Sequence, residues 1–193
     1  YANNLLFENV PMRAYLQKKL NKEIDITNDA NAAALGEGLA GAAKGASNAV
    51  AVTLGTGVGG GIVIDGKLFT GFHYGGAELG HMGIVLGGRK CTCGRRGCLE
   101  AYASATGLIR STKEAMDAAP DSLMWELAAE NGGNVSGRTA FLAADRGDTA
   151  AQSVVNAYIE QLGYGLASII NILAPEILVI GGGVSNEGEN LLR

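Results

Sequence analysis

All three cysteines of the chain fall within eight residues, Cys91-Thr92-Cys93-Gly94-Arg95-Arg96-Gly97-Cys98, and His81 precedes them by ten positions in Gly80-His81-Met82-Gly83. No other feature restricts the fold as strongly, because donors so spaced close on one ion only if the backbone between them turns tightly. Three thiolates and one imidazole make the four-coordinate donor set of a structural zinc centre, and Gly94 and Gly97 permit the turn. The expected zinc ligands are therefore His81, Cys91, Cys93 and Cys98. One ion would tie together two segments that carry carboxylates, Glu78 before the histidine and Glu100 after the last cysteine. Two other readings of the cluster stand beside this one. The thiols can be small buried hydrophobes beside a satisfied core histidine, or Cys98 can form a disulfide with one of the others, which requires an oxidising compartment and leaves an odd thiol. No signal peptide points to such a compartment, and the expected location is cytoplasmic.

With 193 residues, 47% of them hydrophobic and 18% charged, the chain is long and apolar enough for one large domain with a real core, which excludes a disordered segment. Its formal net charge is −4, and the basic pairs Arg89-Lys90 and Arg95-Arg96 read as a solvated loop surface, so nucleic-acid binding is not expected. The charge-free, apolar stretch Leu162 to Pro175 is shorter than a bilayer span and reads as a buried helix running into a strand.

The pattern predicts a helix from Pro11 to Leu20 with proline in its first turn, then a short strand, Ile24 to Thr27. Asn28-Asp29 opens an alanine-rich helix to about Gly45. An apolar strand from Ala49 to Leu54 is followed by the glycine run Gly55 to Gly61, a strand Ile62 to Ile64, a turn at Asp65-Gly66 and a third strand Lys67 to Phe69. Helices are expected over Leu99 to about Ala119, Leu123 to Glu130, Thr139 to Asp145 and Thr149 to Leu173. The last is long enough to serve core or interface, and a strand Ile177 to Ile180 leads into Gly181-Gly182-Gly183.

The first glycine-rich loop is not a dinucleotide fingerprint, since a strand and not a helix follows it. A strand-turn-strand with Gly55-Thr56-Gly57 at its tip can offer amides and a hydroxyl to phosphate oxygens, although a plain hairpin has the same residues. Gly181-Gly182 is likewise either a turn or a nucleotide-facing loop. Asn28-Asp29 reads equally as a helix cap and as a cap beside a carboxylate free to take the proton of an attacking alcohol.

Four stretches together carry a family resemblance: Asn28-Asp29-Ala-Asn31-Ala-Ala-Ala-Leu-Gly-Glu37, Leu54-Gly-Thr-Gly-Val-Gly-Gly-Gly61, Gly75-Gly-Ala-Glu78-Leu-Gly-His81, and Cys91-x-Cys93-Gly-x-x-Gly-Cys98-Leu-Glu100-Ala-Tyr-Ala-Ser104. They resemble the successive motifs of the ROK family (repressors, open reading frames and sugar kinases), and within it most resemble the bacterial ATP-dependent glucokinases. The resemblance implies an α/β, actin-like (ribonuclease-H-like) two-lobed kinase with its sugar between the lobes. It implies that residues 27–193 are the larger lobe and 1–26 the end of the smaller lobe with a hinge segment. By the same resemblance Asp29 is the general base for the 6-hydroxyl of glucose, Asn28 and Glu78 hold ring hydroxyls, His81 binds both sugar and zinc, and Glu100 reaches the hydroxyls near C1 and C2. Gly55, Thr56 and Gly57 match the second phosphate loop and Gly181 with Gly182 the adenosine-side loop, for ATP carrying Mg2+. A role in glycolysis and a homodimer or homotetramer are also implied.

One departure from the family pattern is plain. The Asp-x-Gly-x-Thr loop of the first hairpin is missing, and Asp65-Gly66-Lys67 lacks its threonine. The chain is therefore expected to be mostly the larger lobe, and to turn over poorly by itself. Alternative readings are a ROK transcriptional repressor, a sugar-sensing module without catalysis, and a kinase for N-acetylmannosamine, N-acetylglucosamine, allose or fructose.

Overall fold

In the computed structural model, which describes residues 10–192, α1 (Met12–Leu20) and α2 (Asp29–Ala40) precede three strands, β1 (Ala49–Leu54), β2 (Val58–Ile64) and β3 (Lys67–Phe69). After an irregular stretch come α3 (Glu100–Ala103), α4 (Ala105–Ala118), α5 (Leu123–Glu130), α6 (Thr139–Asp145) and α7 (Thr149–Leu173). The strand β4 (Ile177–Gly181) then runs into a 3-10 segment, Gly183–Leu191. Residues 1–9 of the segment expected to serve as hinge lie outside the described residues.

The sheet has the order β3-β2-β1-β4, with β1 antiparallel to β2 and parallel to β4. Side-chain alternation along β1 assigns its two faces to different layers. Val50, Val52 and Leu54 enter the main core with Leu99, Leu108, Phe141, Leu162 and Ile169. On the other face Ala51 and Thr53 pair with Gly61 and Gly59, and a Cβ at Gly61 would run into Ala34 and the carbonyl of Ala30. Small residues on both sides thus let α2 lie close against the sheet, which brings Asn28 and Asp29 to the open end of β1.

Four expectations change here. Ile24 to Thr27 forms no strand, because no strand among the described residues pairs with it. The helix opened by Asn28 ends at Ala40 instead of Gly45: the Glu37 carboxylate accepts the Ala42 amide at 2.8 Å and so closes the turn. Most of the glycine run belongs to a strand and not to a loop, since Gly59, Gly60 and Gly61 lie in register with Thr53, Val52 and Ala51. Ser104 divides the helix expected over Leu99 to Ala119. It adopts an extended backbone (φ −85°, ψ 166°) and its hydroxyl accepts the Gly107 amide at 2.9 Å, capping a new helix.

The long helix α7 starts at Asp148, whose carboxylate accepts the Ala151 amide at 2.8 Å, and ends at Ala174 in the left-handed region (φ 41°) just before Pro175. Val154, Tyr158, Leu162 and Ile169 form its buried face, while Tyr164 and Ile172 are exposed. Tyr158 locks α7 to α3, its buried hydroxyl donating to the Ala103 carbonyl at 2.8 Å; burial raises the phenol's pKa and keeps it a donor. Tyr158→Phe keeps the ring against Phe141 but orphans that carbonyl. A loss of about 1–3 kcal/mol in denaturant titration is expected, and unchanged stability would show that water replaces the bond.

Candidate functional site

A cleft of ≈ 960 Å³ opens where the start of α2, the β1–β2 turn, the loop before β-bridged Gly83 and the start of α3 and α4 converge. Asn28, Asp29, Gly55, Thr56, Gly57, Glu78, His81, Cys91, Glu100 and Gly182 all border it. Gly181 does not, and Cys93 and Cys98 join the site only through their cluster with His81 and Cys91.

The cysteine loop is shaped by its own backbone. The Cys91 amide donates to the Arg95 carbonyl at 2.9 Å, and Gly94 and Gly97 take φ values of 87° and 79°. The Ile84 and Leu99 amides donate to the Gly97 and Met82 carbonyls, each at 2.8 Å, so the segment that follows His81 is stitched to the segment around Cys98. One donor atom from each of His81, Cys91, Cys93 and Cys98 then lies within 4.8 Å of all the others. Cys91 Sγ is 3.5 Å from His81 Nδ1, and Cys93 Sγ is 3.7 Å from Cys98 Sγ. A tetrahedral zinc with ordinary bond lengths requires separations of about 3.6 Å and about 3.8 Å for these two edges. A disulfide would need about 2.05 Å, so the four residues fit zinc and not a cystine.

The thiols of the cluster sit in unequal electrostatic surroundings. Burial, reinforced by Cys93 and Cys91 beside it, pushes the Cys98 thiol up to about 12, whereas the Arg95 amide pulls Cys93 below its ordinary value. Clustered thiols of this kind ionise together only around a cation.

Glu100 joins the cysteine loop to the glycine turn. Its Oε1 accepts the Thr92 hydroxyl at 2.9 Å and its Oε2 accepts the Val58 amide at 3.2 Å. Gly57 leaves room for it, since a Cβ there would collide with Oε2. At the start of α2 the division of labour between Asn28 and Asp29 is explicit. Asn28 Oδ1 accepts the Ala30 and Asn31 amides at 2.9 and 3.2 Å and so caps the helix. Asp29 uses only Oδ1, on the Ala30 amide at 2.9 Å, and no hydrogen bond among the described residues involves its Oδ2. The exposed Asp29 carboxylate therefore keeps an acceptor for the cleft. Gly182 has φ 92°, and a Cβ there would sit 2.6 Å from the Leu54 amide nitrogen and carbonyl oxygen, so this glycine also serves the packing of β4 beside β1.

Thr92, Thr106 and Arg110 border the cleft without having been singled out from the sequence. Thr92 was legible, since it stands between two metal-spaced cysteines two residues apart. Thr106 and Arg110 lie on α4, and nothing local to them indicates which loop that helix faces.

The family model described as the ROK family matches residues 1–193. A glucokinase of Halalkalibacterium halodurans is 41% identical over 194 residues, covering 100% of this chain and 58% of the relative. A xylose repressor of Caldicellulosiruptor bescii is 35% identical over 194 residues, covering 100% of this chain and 48% of the repressor. Among solved structures, a ROK family glucokinase from Streptomyces griseus in complex with glucose and AMPPNP superposes with a TM-score of 0.86 at 36% identity, covering 100% of this chain and 62% of that one. The chain thus spans about three fifths of the kinases it matches, and its α/β fold is the actin-like fold of those kinases.

Proposed function

Because this chain belongs to the ROK family, we propose that residues 27–193 form the larger lobe of an ATP-dependent sugar kinase that phosphorylates the 6-hydroxyl of glucose. The observation that carries this reading is Asp29, whose Oδ2 is unengaged among the described residues and which borders the same cleft as Glu78, His81, Glu100 and the Gly55–Gly57 turn.

Phosphoryl transfer asks the protein for positioning and charge neutralisation more than for covalent chemistry. Asn28, Glu78, His81 and Glu100 are the residues assigned to the sugar, and the first and third of these stand on rigid supports, a helix cap and a metal-spaced loop. Asp29 takes the proton of the 6-hydroxyl as that oxygen bonds to the γ-phosphorus of ATP; the bond from phosphorus to the bridging oxygen breaks and leaves with ADP. Gly55, Thr56 and Gly57 hold phosphate oxygens, Gly182 borders the nucleotide side with Gly181 behind it, and Mg2+ travels with ATP. His81, Cys91, Cys93 and Cys98 would hold a zinc ion through a full set of four donors, and such an ion would supply rigidity and take no part in the transfer. The Thr92 and Val58 bonds then carry that rigidity to Glu100.

The test is turnover by the full-length protein with ATP and a panel of glucose, N-acetylmannosamine, N-acetylglucosamine, allose and fructose. Glucose is expected to show the highest kcat/KM; a higher value for another sugar reassigns the substrate, and phosphorylation of none removes the kinase reading. Similarity to the xylose repressor favours a second reading, a sugar-sensing core without catalysis. Sugar-dependent DNA binding in place of turnover would establish it.

A further inference from the structure

One continuous segment, Cys98 to Gly107, bonds the glycine turn on both sides. Glu100 Oε2 accepts the Val58 amide at 3.2 Å at the turn's end, the Ala105 amide donates to the Gly55 carbonyl at 2.8 Å, and the Thr106 hydroxyl donates to the Thr56 carbonyl at 2.8 Å. The turn's own Gly55 amide is spent on the Gly57 carbonyl at 3.0 Å. What remains are the amides of Thr56 and Gly57, which no hydrogen bond among the described residues uses.

In a trans peptide the carbonyl and the amide of one unit lie in a single plane and point in opposite directions. Tying the Gly55 carbonyl to Ala105 therefore turns the Thr56 amide away from α4, and tying the Thr56 carbonyl to Thr106 does the same for the Gly57 amide. Without the second tie the Thr56–Gly57 peptide is free to rotate, and a rotated peptide presents a carbonyl oxygen where a phosphate oxygen should sit. Glycine on one side of that peptide makes the rotation easy. Thr106 is also exposed at the second position of α4, so its hydroxyl holds no core together.

We propose that Thr106 is a positioning residue for nucleotide, its hydroxyl fixing the Thr56–Gly57 peptide with the amide turned toward the phosphates. The proposal rests on reading Gly55–Gly57 as a phosphate loop. It makes α3 and α4 serve both substrates, since the segment that begins with a zinc ligand and carries Glu100 ends by orienting the turn that meets ATP.

Thr106→Val removes the donor at nearly constant shape, and Thr106→Ser restores it. In the full-length protein Thr106→Val is expected to raise KM for MgATP by roughly fivefold, the effect of one neutral hydrogen bond. The glucose dissociation constant and the zinc content should stay at parental values, and Thr106→Ser should restore KM for MgATP to within about twofold of the parent. A parental KM for MgATP in the valine variant, a serine variant as impaired as valine, or glucose affinity falling in step with ATP would each overturn the proposal. Amide exchange at Gly55, whose amide is held by the Gly57 carbonyl and so reports the order of the turn, followed without nucleotide, separates this inference from the kinase reading. Exchange accelerated in Thr106→Val but not in Thr106→Ser supports the tie even if the parent protein phosphorylates no sugar, and equal exchange in both refutes it.

Discussion

Asp29→Asn is expected to lower ATP-dependent glucose phosphorylation by roughly 10²–10⁴-fold, the range contributed by a positioned general base. The glucose dissociation constant should remain within about twofold of the parent, because an amide of the same shape still accepts through oxygen. The reason for expecting such a clean separation is structural. Asn28 takes both the Ala30 and the Asn31 amides and shares only the first with Asp29 Oδ1, so the asparagine substitution leaves the start of α2 capped. Asp29 is exposed and its second oxygen is unengaged among the described residues, so stability too should move little. Calorimetry with glucose beside steady-state kinetics decides the matter. If affinity, turnover and thermal midpoint fall together, Asp29 is a structural residue and the mechanism proposed above is wrong.

Cys93→Ser is expected to produce the second large effect, loss of zinc together with weakened glucose binding. Cys93 is exposed whereas Cys91 and Cys98 are buried, so of the three cysteines it is the one whose replacement disturbs packing least. Removing it takes away one of four tetrahedral ligands, and metal affinity should drop by more than the roughly 10–100-fold that follows loss of a mere outer partner. The consequence for sugar runs through His81, which shares the cluster, and through Glu100, which is held by Thr92 inside the cysteine loop. Metal analysis should fall well below one zinc per chain, and the glucose dissociation constant should rise by roughly tenfold, the effect of mispositioning one charged hydrogen-bonding group. Full zinc occupancy with parental glucose affinity would refute the role of the ion as a staple, and zinc loss with parental affinity would show that the loop keeps its shape without metal.

Local signals in the sequence were read correctly where the physics is local. The cysteine spacing, the glycines between them and the histidine upstream foretell the donor cluster, because a metal site closed by short turns is encoded within a few residues of its ligands. Asn28 as a cap and the apolar spacing of Thr149–Leu173 are equally legible, since capping and helical periodicity depend on near neighbours. The failures have a common cause. Ile24–Thr27 alternates like a strand but finds no partner, and Gly59–Gly61 reads like a loop but is drawn into register by β1. In both cases pairing with a distant segment decides, and no residue in the stretch itself reports it. Ser104 failed differently: an interior serine in a helical pattern is ambiguous until its hydroxyl is seen to cap Gly107.

Residue spacing alone determined the His81–Cys91–Cys93–Cys98 donor cluster, the Asn28 helix cap and the apolar faces, because each follows from chain geometry over a few bonds. Only the tertiary structure decided that Asn28, Asp29, Glu78, His81 and Glu100 share one cleft, and that Thr106 reaches across fifty positions to the Thr56 carbonyl. Those placements depend on how closely α2 settles on a sheet face stripped of side chains, and on where α7 locks α3 through Tyr158. Packing of that kind is a property of whole layers, which no short stretch of sequence contains.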